Sequence, residues 1–220
     1  MINAWLSLSI ACVSIAVGDA AGQSCLPMDS SRIVRNSTTS NLDSANTAID
    51  RFTAAAHIDD LKDAIAGMIS LSYSDSTRRR HTPRDDLVAH SWIKLIAVAD
   101  SQAGVLAEVP RPGNLVFPHG PPDRASYPPN IDPKDIVDSA VRAEYEPRFQ
   151  EHQRRRTASE CRAQIGRALS SAYAVFYSWA RNNYKSDPAS QQAFVAEAMS
   201  HNLSAAATRQ MRLAFLGPSP

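Results

Sequence analysis

The sequence predicts an all-α fold: a single-domain antiparallel helical bundle of five or six helices with a proline-rich crossover segment. Three observations carry that expectation. Apolar residues recur at three-and-four spacing through most of the chain, the rhythm that lines one face of an α-helix. Helix-start signals stand at Thr82-Pro83, Asp132-Pro133 and Asp187-Pro188, each a capping side chain followed by proline at the first helical position. Eight of the 14 prolines lie between residues 110 and 133, where fixed φ angles and missing donors exclude a helix or a central strand. With 220 residues, 44% hydrophobic and 20% charged, the chain is long and apolar enough to bury a sizeable core.

The elements follow in order. A first helix is expected over 42–56, where Leu42, Ala45, Ile49, Phe52 and Ala56 share a face behind a capping Asn41. A second spans 59–73, with Leu61, Ile65, Met68 and Ile69 aligned and Asp59, Asp60 and Asp63 in or near its first turn, where negative charge is favourable. A third occupies 83–106, opened by Thr82-Pro83-Arg84-Asp85, with Val88, Trp92, Leu95, Ile96, Ala99 and Ala103 at helical spacing. Short links make these three antiparallel neighbours. A proline-rich strap over 108–132 comes next, pinned by its apolar residues Leu115, Val116 and Phe117. Helix resumes over 133–146, and Pro147 is expected to end or kink it. The central helix, 150–184, carries Cys161, Ile165, Leu169, Ala172, Phe176 and Trp179 on one stripe. A last helix over 188–216 stops at Gly217-Pro218, and its alanine-rich face should form a tight hairpin with the central helix.

The N-terminus reads as a signal peptide over residues 1–20. An uncharged, mostly apolar run of 13 residues, 5–17, is followed by Gly18, Ala20 and Ala21, a length suited to export and too short to span a bilayer. No Lys or Arg precedes the run, a departure from the usual pattern. Residues 21–41 form an irregular polar arm, and 42–216 the helical domain. Ser9-Ile10-Ala11 before Cys12 and Gly22-Gln23-Ser24 before Cys25 fit the leucine-then-small-residues pattern of a lipidation site poorly, and a lipid anchor stays open as an alternative. Removal of the leader leaves Cys25 and Cys161, read as one disulfide in an exported chain. The competing reading is a buried free Cys161 and an unrelated exposed Cys25. The expected location is secreted or periplasmic, with no membrane span in the mature chain.

Chemistry is sparsely marked. HExxH, GxSxG, a glycine-rich phosphate loop and zinc-type Cys/His spacing do not occur, so no cofactor or metal is expected and the chain leans away from enzymes. Candidate catalytic residues are Asp86 and His90, four apart on one helix face. Glu146, with Glu144, Glu151 and His152 beside it, could supply a further carboxylate to a hydrolase-like or metal-dependent site. His57 with Asp59 and Asp60 is a similar grouping. Candidate anion-binding residues are the triplets Arg78, Arg79, Arg80 and Arg154, Arg155, Arg156, which make one patch only if the fold joins them. A formal net charge of +1 and the absence of interleaved aromatics argue against nucleic acid as a partner. Tyr73, Tyr173, Tyr177 and Tyr184 could rim a binding surface, while Trp92 and Trp179 belong to apolar faces. Asn36 and Asn202 each head a glycosylation sequon.

Asn130-Ile131-Asp132-Pro133, together with Arg142, Tyr145 and Glu146, resembles a connecting segment of exported, uncharacterised helical bacterial proteins. The resemblance covers about 17 residues and implies no activity. The reading that results is an exported helical protein acting as a non-enzymatic binding or structural component of the cell envelope or secreted fraction, with an unidentified protein partner open and the Asp86/His90 enzyme as the alternative.

Overall fold

The computed structural model describes residues 42–74, 82–115 and 131–217. The leader, the arm, Cys12, Cys25, the run Arg78, Arg79 and Arg80, and most of the strap lie outside the described residues. Those described form six α-helices and one 3-10 turn, with no strand among them: α1 (Leu42–Ala55), α2 (Ile58–Ser74), α3 (Pro83–Glu108), the turn Pro133–Asp135, α4 (Ser139–Tyr184), α5 (Pro188–Ser200) and α6 (Ala205–Leu216). The all-α helical bundle is as the periodicity requires. Among the described residues, no helix is long and apolar enough to cross a membrane.

Cross-helix contacts set the directions. Ser91 donates to Asn46 Oδ1 at 2.9 Å and Lys94 Nζ to Asp50 at 2.7 Å, so α1 and α3 run the same way. Between them in sequence, α2 returns, with the Trp92 indole N–H donating to Ser72 Oγ at 3.0 Å. Helix α4 runs against α3: Trp92 meets Phe176, and the Tyr184 hydroxyl reaches Asp86. Helix α5 then follows α3, and α6 turns back beside α4, its Phe215 ring 5.4 Å from that of Phe176. Each helix is therefore antiparallel to the one before it. The core is the stripe of α4 from Ala158 to Tyr184 set against Phe52, Leu61, Met68, Leu71, Trp92, Leu95, Ile96 and Phe215. Gly67 permits the close α1 to α2 approach, because a Cβ there would stand 3.1 Å from that of Ala45.

Local chemistry explains most boundaries. Thr82 donates its backbone N–H to Asp85 Oδ2 at 2.6 Å, and Pro83 opens α3, the reciprocal capping arrangement its sequence announces. Asp187 caps α5 by accepting from Ser190 N at 3.1 Å. Helix α1 ends where Ala56 takes a φ of 51°.

Three expectations are corrected. The restart at Asp132-Pro133 makes only a 3-10 turn, because Ile136 turns inward in extended conformation and Asp138 provides the cap that begins α4, accepting from Ala140 N at 2.8 Å. Pro147 does not divide the helix. α4 continues through it for 46 residues, at the loss of the hydrogen bond to the Ala143 carbonyl. Both residues are exposed, so water can serve that carbonyl, while ion pairs four apart, Arg148 to Glu144 and Arg155 to Glu151, support the surrounding turns. The last helix, expected as one piece, is two. Asn202 takes a φ of 53°, and Ser204 caps α6 while donating its N–H and Oγ to Asp100 of α3 at 2.6 and 2.7 Å. The hairpin with a tight shared face is consequently α5 with α6, and of these two only α6 packs extensively on α4.

The register of α3 against α4 places Glu108, the last residue of α3, opposite about residue 160 of α4. Residues 139–157 thus run past the bundle for about 28 Å at 1.5 Å per residue. A small second cluster stiffens this overhang. Pro133 and Ile136 are buried, Tyr145 is 0% exposed and donates to the Ile131 carbonyl at 3.3 Å, and the Arg142 guanidinium donates to the Ile136 carbonyl from Nε at 2.9 Å and from Nη2.

The aromatic contact at the centre of the core yields a direct test. Phe176 lies within ring-contact distance of Trp92, Trp179 and Phe215 and is 0% exposed. Phe176→Ala should lower unfolding stability by about 3–5 kcal/mol in urea denaturation; a loss near zero would place the ring outside the core.

Candidate functional site

Two places bear on function: the end of the bundle where α3 begins and α4 finishes, and the overhang at the opposite end. At the first, the helix faces that align Asp86 and His90 in sequence carry them to different partners. Tyr184 of α4 donates its hydroxyl to Asp86 Oδ1 at 3.1 Å. His90 Nδ1 lies 2.9 and 2.7 Å from the two carboxylate oxygens of Glu197 on α5, with its ring edge-on to Phe194 at 5.2 Å. Asp86 and His90 therefore tie α3 to two separate helices. Glu146 accepts from Gln150 at 3.3 Å within the overhang. It is 38 residues from Tyr184 along one helix, about 57 Å. The three candidate catalytic groups are not brought together; Glu144 and Glu151, 40 and 33 residues from Tyr184 on the same helix, stand about 60 and 50 Å away by the same rise.

The other groupings also resolve into packing. Asp60 is buried and accepts from Arg51 Nε at 2.7 Å, Asp63 lies 3.8 Å from Arg51 Nη2, and Asp59 accepts from Lys62 at 3.0 Å. The acids beside His57 thus serve the α1 to α2 corner, where His57 Nδ1 is buried without a hydrogen-bond partner. Among the described residues, no three His, Cys, Asp or Glu side chains lie together as a metal-ligand set. Tyr184 does not rim a surface. It is fully buried among Trp179, Phe194 and Phe215, while Tyr73 is exposed and Tyr173 and Tyr177 are half-buried. Trp92 and Trp179 are core, as their spacing indicates.

The arginines of the second triplet are held along their own helix. Arg154 Nη1 and Arg155 Nε donate to Glu151 at 3.4 and 2.7 Å, and Arg156 Nε donates to Glu160 at 2.8 Å. The hydrogen bond from Arg155, and then the charges of Arg155 and Arg154, hold the Glu151 carboxyl below the usual carboxylate range. Arg78, Arg79 and Arg80 fall outside the described residues.

The overhang carries a feature that the triplets obscured in the sequence. Arg148, His152 and Arg155, spaced four and three apart, occupy one face of α4 and with Glu151 form one wall of a groove of about 280 Å³. Gly113, Asn114 and Leu115, where the strap leaves α3, form the other wall. The i, i+4, i+7 spacing was a legible signal; the opposing wall was not, because it comes from a segment more than 30 residues earlier.

Comparison with known proteins returns nothing similar: no family model matches the chain, and no curated protein or solved structure matches it.

The buried Tyr184 also sets an alkaline limit. Burial pushes its phenol above the ordinary value of 10.0, with the Asp86 charge and hydrogen bond adding to the effect. Tyr173 is raised too, by burial and by Asp100. A folded-state value above the unfolded one means stability that is intact below pH 10 and falls as pH rises past it. Urea midpoints should therefore decline above about pH 10. Tyr184→Phe should soften that decline while costing about 1 kcal/mol at neutral pH through the lost hydrogen bond. An unchanged alkaline slope would contradict the assignment.

Proposed function

We propose that the chain is an exported protein of the cell envelope or secreted fraction that acts by binding and not by catalysis. The observation that carries the second half is the disposition of Asp86 and His90. The side chains most suited to acid–base work are engaged by Tyr184 and Glu197 in the joints between helices, so using them in a reaction would cost the fold its own contacts.

Export is supported by the apolar leader run and by Cys161. This residue is 2% exposed, and we take it to pair with Cys25 in a disulfide, a state favoured outside the reducing cytosol. Pairing with Cys25 is consistent with reach. Contacts of Asn46 with Ser91 put the start of α1 level with about residue 180 of α4, roughly 28 Å along the bundle from Cys161. The 17 Cα steps from Cys25 to Leu42 extend to about 58 Å. On this reading the cystine anchors the mature N-terminus at the foot of the overhang, where α4 leaves the bundle.

Mass analysis of the protein from its native source tests the proposal. The expected product has lost about 20 residues and yields, without reduction, a cystine peptide joining Cys25 to Cys161. An intact Met1 with free thiols would overturn it. Closing a loop of about 136 residues stabilises a fold by roughly 5 kcal/mol at most, so reduction or Cys161→Ser should lower the urea midpoint clearly. Affinity capture with the oxidised protein is expected to recover a stoichiometric partner or ligand, and turnover of a substrate dependent on His90 would contradict the binding role.

A further inference from the structure

The groove on the overhang has the chemistry of an anion site. Arg148 and Arg155 each carry five N–H donors in a planar fork. Arg148 uses Nη2 on Glu144, and Arg155 uses Nε on Glu151, so both retain donors, and both side chains remain partly exposed, at 51% and 36%. His152 stands between them on the same face. The local charge balance favours an anion. Among the described residues, three guanidiniums, Arg148, Arg154 and Arg155, pair with two carboxylates, Glu144 and Glu151, so cations outnumber anions in these pairs. Gly113 and Asn114 bring backbone, with no bulky side chain on the glycine, to the facing wall, and Leu115 adds one apolar contact.

We infer that this groove binds a small molecule bearing two or three carboxylates, with Arg148 and Arg155 as its principal contacts; this names a ligand class for the binding role proposed above and rests on it. The guanidinium fork matches a carboxylate, or a phosphate, in two parallel hydrogen bonds, and two forks seven residues apart on one helix face suit a ligand with more than one anionic group. The volume of about 280 Å³ lies just below the range that holds a drug-sized ligand, a size that suits a compact acid. The carboxylate of Glu151 forms part of the wall, and its two arginine partners keep it from repelling the ligand at full strength. Because the site is open and its charges are exposed, affinity should fall steeply with added salt.

The test is a titration of the isotope-labelled full chain with citrate, succinate and inorganic phosphate at low ionic strength, read by amide chemical shifts and by calorimetry. Saturable shifts confined to residues 113–115 and 148–155 are expected with citrate, weaker ones with succinate and the weakest with phosphate. The double variant Arg148→Gln, Arg155→Gln should bind citrate at least about tenfold more weakly, the loss of one charge-assisted hydrogen bond, with an unchanged helical circular dichroism spectrum. Arg209→Gln, on the exposed side of α6, should bind as the parent does. Absence of saturable shifts in the groove, tighter binding of phosphate than of citrate, or equal binding by the double variant each overturns the inference. Recovery of a partner protein by an oxidised chain that ignores citrate would do so while leaving the binding role intact.

Discussion

One continuous apolar stripe along α4 is the constraint on which the remaining structure depends. From Ala158 to Tyr184 it presents Cys161, Ile165, Leu169, Ala172, Phe176 and Trp179, and α2, α3 and α6 bury their own faces against it. Those helices are shorter than α4. Once they have covered the stripe, the first part of α4 has no further helix packed on it among the described residues, and it becomes a stalk whose turns rely on ion pairs along the helix and on the Tyr145 cluster. The two ends of the molecule thus acquire different character from one inequality in helix length: a sealed aromatic end around Tyr184 and a charged, projecting end around Arg148.

The same inequality governs the chemistry. Polar side chains at the sealed end are recruited as joints. Asp86 receives Tyr184, His90 meets Glu197, and Asp100 holds the turn between α5 and α6 through Ser204. At the projecting end, charges pair along one helix and keep donors in reserve. A carboxylate near residue 146 and an imidazole at residue 90 cannot cooperate across the length of α4, however well their residue types suit a shared reaction.

Much of this architecture was legible in the residues. Helical periodicity placed Phe176, Trp92 and Met68 in the core, and the caps at Thr82 and Asp187 stand where their side chains announce them. The misjudged boundaries share a cause: a local rule met a tertiary one. Proline at residue 147 breaks a helix when its lost hydrogen bond has no solvent to replace it, and here the exposed side of the stalk provides that solvent. The last helix was expected in one piece, but the turn at Asn202 and Ser204 is tied to Asp100, a residue about 100 positions away. Likewise the partner of His90 could not be read from its own helix, since Glu197 reaches it only after α5 folds back. The groove was half legible, in the spacing of Arg148, His152 and Arg155, and its second wall depended on where the strap leaves α3.

The continuity of α4 through Pro147 is the claim most exposed to a single measurement. Spin labels introduced as non-cysteine side chains at Ala140 and Asn182, both exposed positions of α4, would report the end-to-end distance by pulsed electron resonance without disturbing Cys161. An unbroken helix predicts one narrow distribution near 63 Å, about 1.5 Å for each residue between them. A chain that turned back at Pro147 would give about 42 Å by the same rise, and a dominant peak there would contradict the account.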